Sequence, residues 1–129
     1  MKKNFFENII RHENKDVKII AEMSGNHQGR YEGANKFVKQ AIKMGADVIK
    51  FQVYTADTIT LNSNKKDFVV KTDGVWGKFK TLHNLYDKAH TPWNWIYKLA
   101  TYLNTKKFPW FASPFDETSV DFLEKLNCP

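Results

Sequence analysis

Nine residues, Ala46-Asp47-Val48-Ile49-Lys50-Phe51-Gln52-Val53-Tyr54, follow a helical pattern with only Gly45 between, and few folds accept that arrangement. An apolar, β-branched run bounded by turn signals reads as a buried strand. Before it, from about Tyr31 to Met44, Ala34, Phe37, Val38, Ala41 and Ile42 recur at the spacing of one helical stripe. Gly45 is a suitable helix stop. Earlier still, Val17-Lys18-Ile19-Ile20-Ala21-Glu22-Met23 is a second apolar run with an acid at its carboxyl end. Strand, helix, strand within 17–54 predicts a right-handed parallel unit. Lys50 and Gln52 stand two apart, so a strand projects them to one face. A lysine in an apolar strand loses hydration and stays where an anion, a ligand or a carboxylate compensates it. The alternative is an edge strand whose lysine snorkels to water.

The rest of the chain extends the pattern. Residues 1–16 form a polar lead-in segment with Phe5, Phe6, Ile9 and Ile10 as a small apolar cluster, one helical turn or a loop covering an end of the sheet. Ser24 to Gly29 is a polar loop with two glycines. Between Thr55 and His90 the chain is long and irregular. A short turn or helical piece is expected at 56–61, a brief extension at Phe68-Val69-Val70, a turn at Asp73-Gly74, and a short helix carrying Phe79, Leu82, Leu85 and Tyr86. Loops of this length in a compact domain are functional or disordered, and the aromatic content favours an ordered, functional one. Thr91-Pro92 opens a helix, threonine as N-cap and proline first, with Ile96, Leu99, Ala100 and Leu103 as its buried stripe. Pro109 to Ser113 is the third strand, and Asp116 caps a last helix whose Val120, Leu123 and Leu126 face inward.

Three strands are thus each followed by helix, and no glycine-rich dinucleotide fingerprint or phosphate loop follows any of them. This favours an α/β fold of the (β/α) barrel kind over a doubly wound sheet. In barrels the chemistry collects at the carboxyl ends of the strands. Those ends carry Glu22, then Lys50 and Gln52, then Ser113. Three adjacent strands placing polar groups at one rim predict a site.

The chain carries 20 basic and 14 acidic residues, a net charge of +6. Only Arg11 and Arg30 are arginines and the lysines are dispersed, which points to solvated faces and no nucleic-acid partner. The positive field suits a small anion such as a phosphate or carboxylate. Cys128 is the one cysteine, so neither an internal disulfide nor a cysteine zinc cluster is expected, in keeping with a cytoplasmic location. No signal peptide or membrane span is read in the sequence.

Ile19 to Gly29, containing Ala21-Glu22 and Asn26-His27-Gln28-Gly29, resembles the first-strand motif of the sialic acid synthases, apolar-Ala-Glu-x-x-x-Asn-His-x-Gly. Gly45 to Gln52 resembles their second-strand motif, and Phe111-Ala112-Ser113-Pro114-Phe115-Asp116 with Ser119 to Leu123 the third. The resemblance covers 17–129. Tyr54 to Ser63, the Trp76 to Trp95 stretch, Leu82-His83-Asn84-Leu85-Tyr86 and Thr91-Pro92-Trp93 resemble the pseudaminic acid branch more than the N-acetylneuraminate branch.

The resemblance implies a TIM (β/α)8 barrel of which this chain is the N-terminal portion, about three βα units. It implies condensation of phosphoenolpyruvate with an N-acylated amino sugar to a nonulosonic acid and phosphate. A divalent metal, Mn or Mg, would polarise the sugar aldehyde, and the full-length enzyme would be a homodimer. Glu22 would be the catalytic carboxylate, managing protons or facing the developing positive charge. Lys50 and Ser113 would bind the anion and Gln52 would orient a substrate, with Phe115 walling the pocket and Asn26, His27 and Tyr54 as further contacts. The plainer readings are an ion pair of Glu22 with Lys50, turn-forming Asn26 and His27, a helix-capping Ser113, and packing for Tyr54 and the tryptophans.

A whole barrel takes ~250 residues. Pro129 falls where a fourth strand is expected, and these synthases usually add a C-terminal antifreeze-like domain. The family's two metal-binding histidines come from later strands, and none of His12, His27, His83 and His90 matches them. The 129-residue chain alone is therefore expected to be inactive and prone to self-association through an open sheet edge. Two alternatives stand beside this: N-acetylneuraminate or legionaminate synthesis, and a small basic anion-binding α/β module without catalysis.

Overall fold

The structure, a computed structural model, describes residues 2–11, 16–71 and 77–129, with side chains from Phe5 onward. His12, the turn expected at Asp73-Gly74, and Trp76 lie outside the described residues. Three strands, β1 (Ile20–Glu22), β2 (Val48–Val53) and β3 (Trp110–Pro114), form one parallel sheet in the order β1-β2-β3. Before and between them run α1 (Lys2–Ile10), α2 (Tyr31–Lys43), α3 (Ala56–Ile59), α4 (Leu82–Ala89) and α5 (Trp93–Thr105), and α6 (Glu117–Lys125) follows β3.

Strands adjacent in sequence are adjacent in the sheet. A doubly wound fold would reverse the strand order at a switch point. Here Ile49, Phe51, Val53 and Trp110 from the strands pack with Ala34 and Val38 of α2, Ile96, Leu99, Ala100 and Leu103 of α5, and Leu123 of α6. The crossover helices therefore cover one face of the sheet, as in a segment of barrel wall. The opposite face carries Ile20 and Glu22 of β1, Val48, Lys50 and Gln52 of β2, and Phe111 and Ser113 of β3, by alternation and by the pairings Glu22 with Lys50, Lys50 with Phe111 and Gln52 with Ser113.

Several expected boundaries shift. β1 is shorter than 17–23: Val17 and Ile19 lie exposed ahead of it, although Ile19 still pairs through its carbonyl with the Asp47 and Val48 amides, and beyond it the Met23 amide donates to the Lys50 carbonyl. The lead-in is a nine-residue helix rather than a single turn, and its Phe6 meets Phe111 edge-on at 5.8 Å between ring centroids. Phe68 ends a 3-10 turn (Lys66–Phe68), and the expected extension reduces to one antiparallel bridge from Val69 to Thr81. Phe79 lies ahead of α4, which Thr81 caps by accepting the Asn84 amide.

At α5 the N-cap is Pro92, not Thr91. Thr91 is buried, and its hydroxyl instead donates to the Ser24 carbonyl at 3.4 Å. Asp116 caps α6 as expected, accepting the Ser119 amide at 2.8 Å. Val120 is 41% exposed, so the buried stripe of α6 is Ser119 and Leu123, with Leu126 packed beside them.

Candidate active site

Glu22 closes β1, and the register sets it beside Lys50 of β2. The Lys50 ammonium donates to Glu22 Oε2 at 2.8 Å, and the Gln52 amide donates to Glu22 Oε1 at 2.8 Å. A carboxylate only accepts, so it fixes which end of the Gln52 amide faces it. The amide oxygen is then left to accept the Ser24 hydroxyl at 3.0 Å. Lys50 and Glu22 side chains keep 25% and 35% of their exposure, which leaves the pair open to a ligand. Lys50 thus does have the compensating carboxylate that its place in a strand demands. An ammonium has three donors, and the contact with Glu22 uses one.

Ser113 lies opposite Gln52 on the same face. The glutamate, the lysine, the glutamine and the serine therefore share one rim of the sheet. Capping of α6 falls to Asp116 and Ser119, not to Ser113.

Beside this rim lies a hollow of about 230 Å³ between the β1–α2 loop and α4, lined among others by Ser24, Asn26, Gln52, Tyr54, Tyr86 and Ala89. Tyr54 is buried at the end of β2, edge-on to Tyr86 at 5.9 Å and to Phe115 at 5.4 Å. Burial pushes the Tyr54 phenol above its ordinary value, and the neighbouring Tyr86 adds to this. Phe115 does not line this hollow. It is 44% exposed and meets it only through Tyr54, while its amide is tied to the Val53 carbonyl.

His27 departs from its expected contact role. The ring is 1% exposed and both nitrogens are engaged. The Gly29 amide donates to Nδ1 at 3.0 Å, so Nδ1 accepts and Nε2 carries the proton, which goes to the Ala89 carbonyl at 3.1 Å. Burial, foremost, holds its pKa below the ordinary 6.5. The ring also meets Trp95 edge-on at 5.4 Å. His27 is therefore a pin between the β1–α2 loop and the end of α4. Asn26 beside it is exposed and lines the hollow.

Gly33, in the first turn of α2, has a part in the same junction. A Cβ there would collide with the His27 carbonyl. Ser24 and Gly33 were missed in the sequence because a left-handed turn and a close approach to a backbone carbonyl leave no pattern in residue spacing.

The NeuB family model matches residues 37–129. Pseudaminic acid synthase of Campylobacter jejuni is 45% identical over 113 residues, 88% of this chain and 32% of that protein. Pseudaminic acid synthase of Helicobacter pylori is 37% identical over 112 residues, 87% of this chain and 32% of that one. The chain thus spans about a third of the length of the curated relatives it matches. Among solved structures, N-acetylneuraminic acid synthetase of Leptospira borgpetersenii, in complex with citrate, superposes with a TM-score of 0.67 at 25% identity, over 88% of this chain and 34% of that one. Residues 37–129 reach from α2 through β2 and β3 to the end of α6, well over half of the sequence, and on that match the chain belongs to the NeuB family.

Proposed function

We propose that the protein carrying this chain condenses phosphoenolpyruvate with an N-acylated amino sugar, and that it is a pseudaminic acid synthase. The observation that carries the reading is the 45% identity with a pseudaminic acid synthase across the segment that holds Glu22, Lys50, Gln52 and Ser113. The geometry supplies a physical rationale. Phosphoenolpyruvate presents a carboxylate and a phosphate, and the two Lys50 donors not used on Glu22 are a point charge for either. Ser113, opposite Gln52, adds a hydroxyl donor at the same rim.

In the proposed reaction the enol carbon bonds to the sugar aldehyde carbon while the aldehyde oxygen takes up a proton from solvent. Water adds to the cation that develops at the neighbouring carbon and gives up a proton, and the bond from that carbon to the phosphate oxygen breaks as the keto group forms. Glu22 faces that positive charge and accepts the water's proton. Gln52, held between Glu22 and Ser24, presents its second amide hydrogen to a substrate oxygen. Tyr54 and Tyr86 bound the hollow in which the sugar sits.

A divalent cation belongs to the proposal through the family resemblance. Among the described residues no three histidine, cysteine, aspartate or glutamate side chains gather into a metal-holding group, and Glu22 already accepts from two partners. The described residues do not fit such a site by themselves, so every step above is assigned to side chains of this chain.

The reading is tested on the whole protein by phosphate release from phosphoenolpyruvate with N-acylated amino sugars, followed by product mass. A product of the pseudaminic series supports it. A mass of N-acetylneuraminate or legionaminate moves the substrate within the family, and absence of phosphate release with every sugar removes the reading. The homodimer and cytoplasmic location belong to the same proposal, and sedimentation of the whole protein checks the first. No helix of the described residues is long and apolar enough to cross a membrane.

A further inference from the structure

Ser24 is held in a conformation that its side chain does not favour. Its φ is 46°, in the left-handed region, where glycine is the residue of least cost. Gly25 follows immediately, with a φ that is not positive. A serine at the left-handed position costs stability that a glycine would not, and such positions persist where the side chain is used. Here its hydroxyl donates to Gln52 Oε1 at 3.0 Å.

The bond closes a chain of contacts. Glu22 holds the nitrogen end of the Gln52 amide and Ser24 holds the oxygen end. With both ends tied, the amide neither rotates nor swings into the hollow it lines with Ser24 and Tyr54. Ser24 is itself held from outside, because its carbonyl accepts the buried Thr91 hydroxyl.

We propose that Ser24 is a positioning residue, keeping the left-handed turn so that its hydroxyl locks the Gln52 amide in the orientation that receives the amino sugar. The inference rests on the function proposed above and adds to it the residue that fixes the sugar-facing amide. Glu22 alone does not suffice for this, since a carboxylate that turns toward substrate during reaction releases the amide. The serine keeps hold of it.

Two variants of the whole protein separate hydroxyl from backbone. Ser24→Gly removes the hydroxyl and relieves the turn; Ser24→Ala removes the hydroxyl and keeps the strain. Both are expected to lower kcat/KM for the sugar about tenfold, the size of one lost hydrogen bond, with the KM for phosphoenolpyruvate unchanged. Thermal stability is expected to split them, with Ser24→Gly at or above the parent and Ser24→Ala below it. In a Gln52→Ala background neither substitution is expected to lower the rate further.

A Ser24→Gly or Ser24→Ala protein with parental kcat/KM overturns the inference, as does full additivity with Gln52→Ala. A second readout needs no substrate. The Gln52 side-chain amide signals, assigned by their loss in Gln52→Glu, are expected to exchange faster with solvent in both Ser24 variants. If the parent protein condenses nothing, the function proposed above fails and this exchange measurement alone decides the positioning role, unchanged exchange overturning it.

Discussion

The carboxylate of Glu22 is held by a lysine and a glutamine two residues apart on the neighbouring strand, and that spacing is what makes the arrangement possible. A one-residue slip would send both to the opposite face. Glu22→Gln keeps the shape and removes the charge, leaving the Lys50 ammonium without its partner. On the proposed function it is expected to lower kcat about a hundredfold, within the range for loss of a general base, as read by phosphate release. The sharing of one rim by Glu22, Lys50, Gln52 and Ser113 was legible in the sequence, because strand alternation and a polar residue at each strand end suffice to predict it. His27 was not legible in the same way. Its neighbours His90 and the Ala89 carbonyl are distant in sequence, and only the fold brings them to the ring. Burial places its folded pKa below 6.5, whereas the unfolded chain has the ordinary value. His27 therefore contributes stability that is complete above pH 6.5 and is lost as pH falls through the lower folded value. The melting temperature of the whole protein is expected to fall on acidification from about pH 7.5 to 5, and His27→Gln to flatten that dependence while lowering stability throughout.

Among the elements, α2 shows how far periodicity reaches and where it stops. Its apolar stripe and its glycine terminus are plain in the sequence, and the helix runs Tyr31–Lys43 with Gly45 at a φ of 90°. What periodicity does not show is that Gly33 on that helix touches another segment. The first turn of α2 packs so closely on the His27 carbonyl that a methyl group has no room. Gly33→Ala, favourable in an exposed helix, is instead expected to destabilise by about 1–3 kcal/mol as an overpacked contact, seen as a lower melting temperature. The caps of α5 and α6 make a similar contrast. Asp116 was readable because it satisfies its helix with its own side chain. Thr91 was misread as a cap because its hydroxyl is drawn to the Ser24 carbonyl across the molecule. Asp116→Ala is expected to cost about 1 kcal/mol by denaturant unfolding.

At the scale of the whole molecule, the barrel character was legible because strands alternate with helices and no dinucleotide or phosphate loop follows a strand, and the sheet order β1-β2-β3 with helices on one face agrees. The other face carries Ile20, half exposed, beside the charged cluster, and is covered at Phe111 by Phe6 of α1. Among the described residues β1 and β3 each pair on one side only. Expressed as these 129 residues alone, the chain is expected to self-associate through those edges, and a monodisperse monomer by sedimentation velocity would contradict this. The excursion between β2 and α5 was the least legible part, since it is held by pairs far apart in sequence: His83 with the Asp57 carboxylate, His27 with the Ala89 carbonyl, and Thr91 with the Ser24 carbonyl. Its start is the Thr55–Thr58 turn at the tip of β2, and its end is clasped by His27 and Thr91. The wall made by Leu85, Tyr86 and Ala89 keeps its station only while both moorings hold, so a chimera between relatives is expected to work when the Thr55–Thr58 turn, His27 and Thr91 all come from one parent.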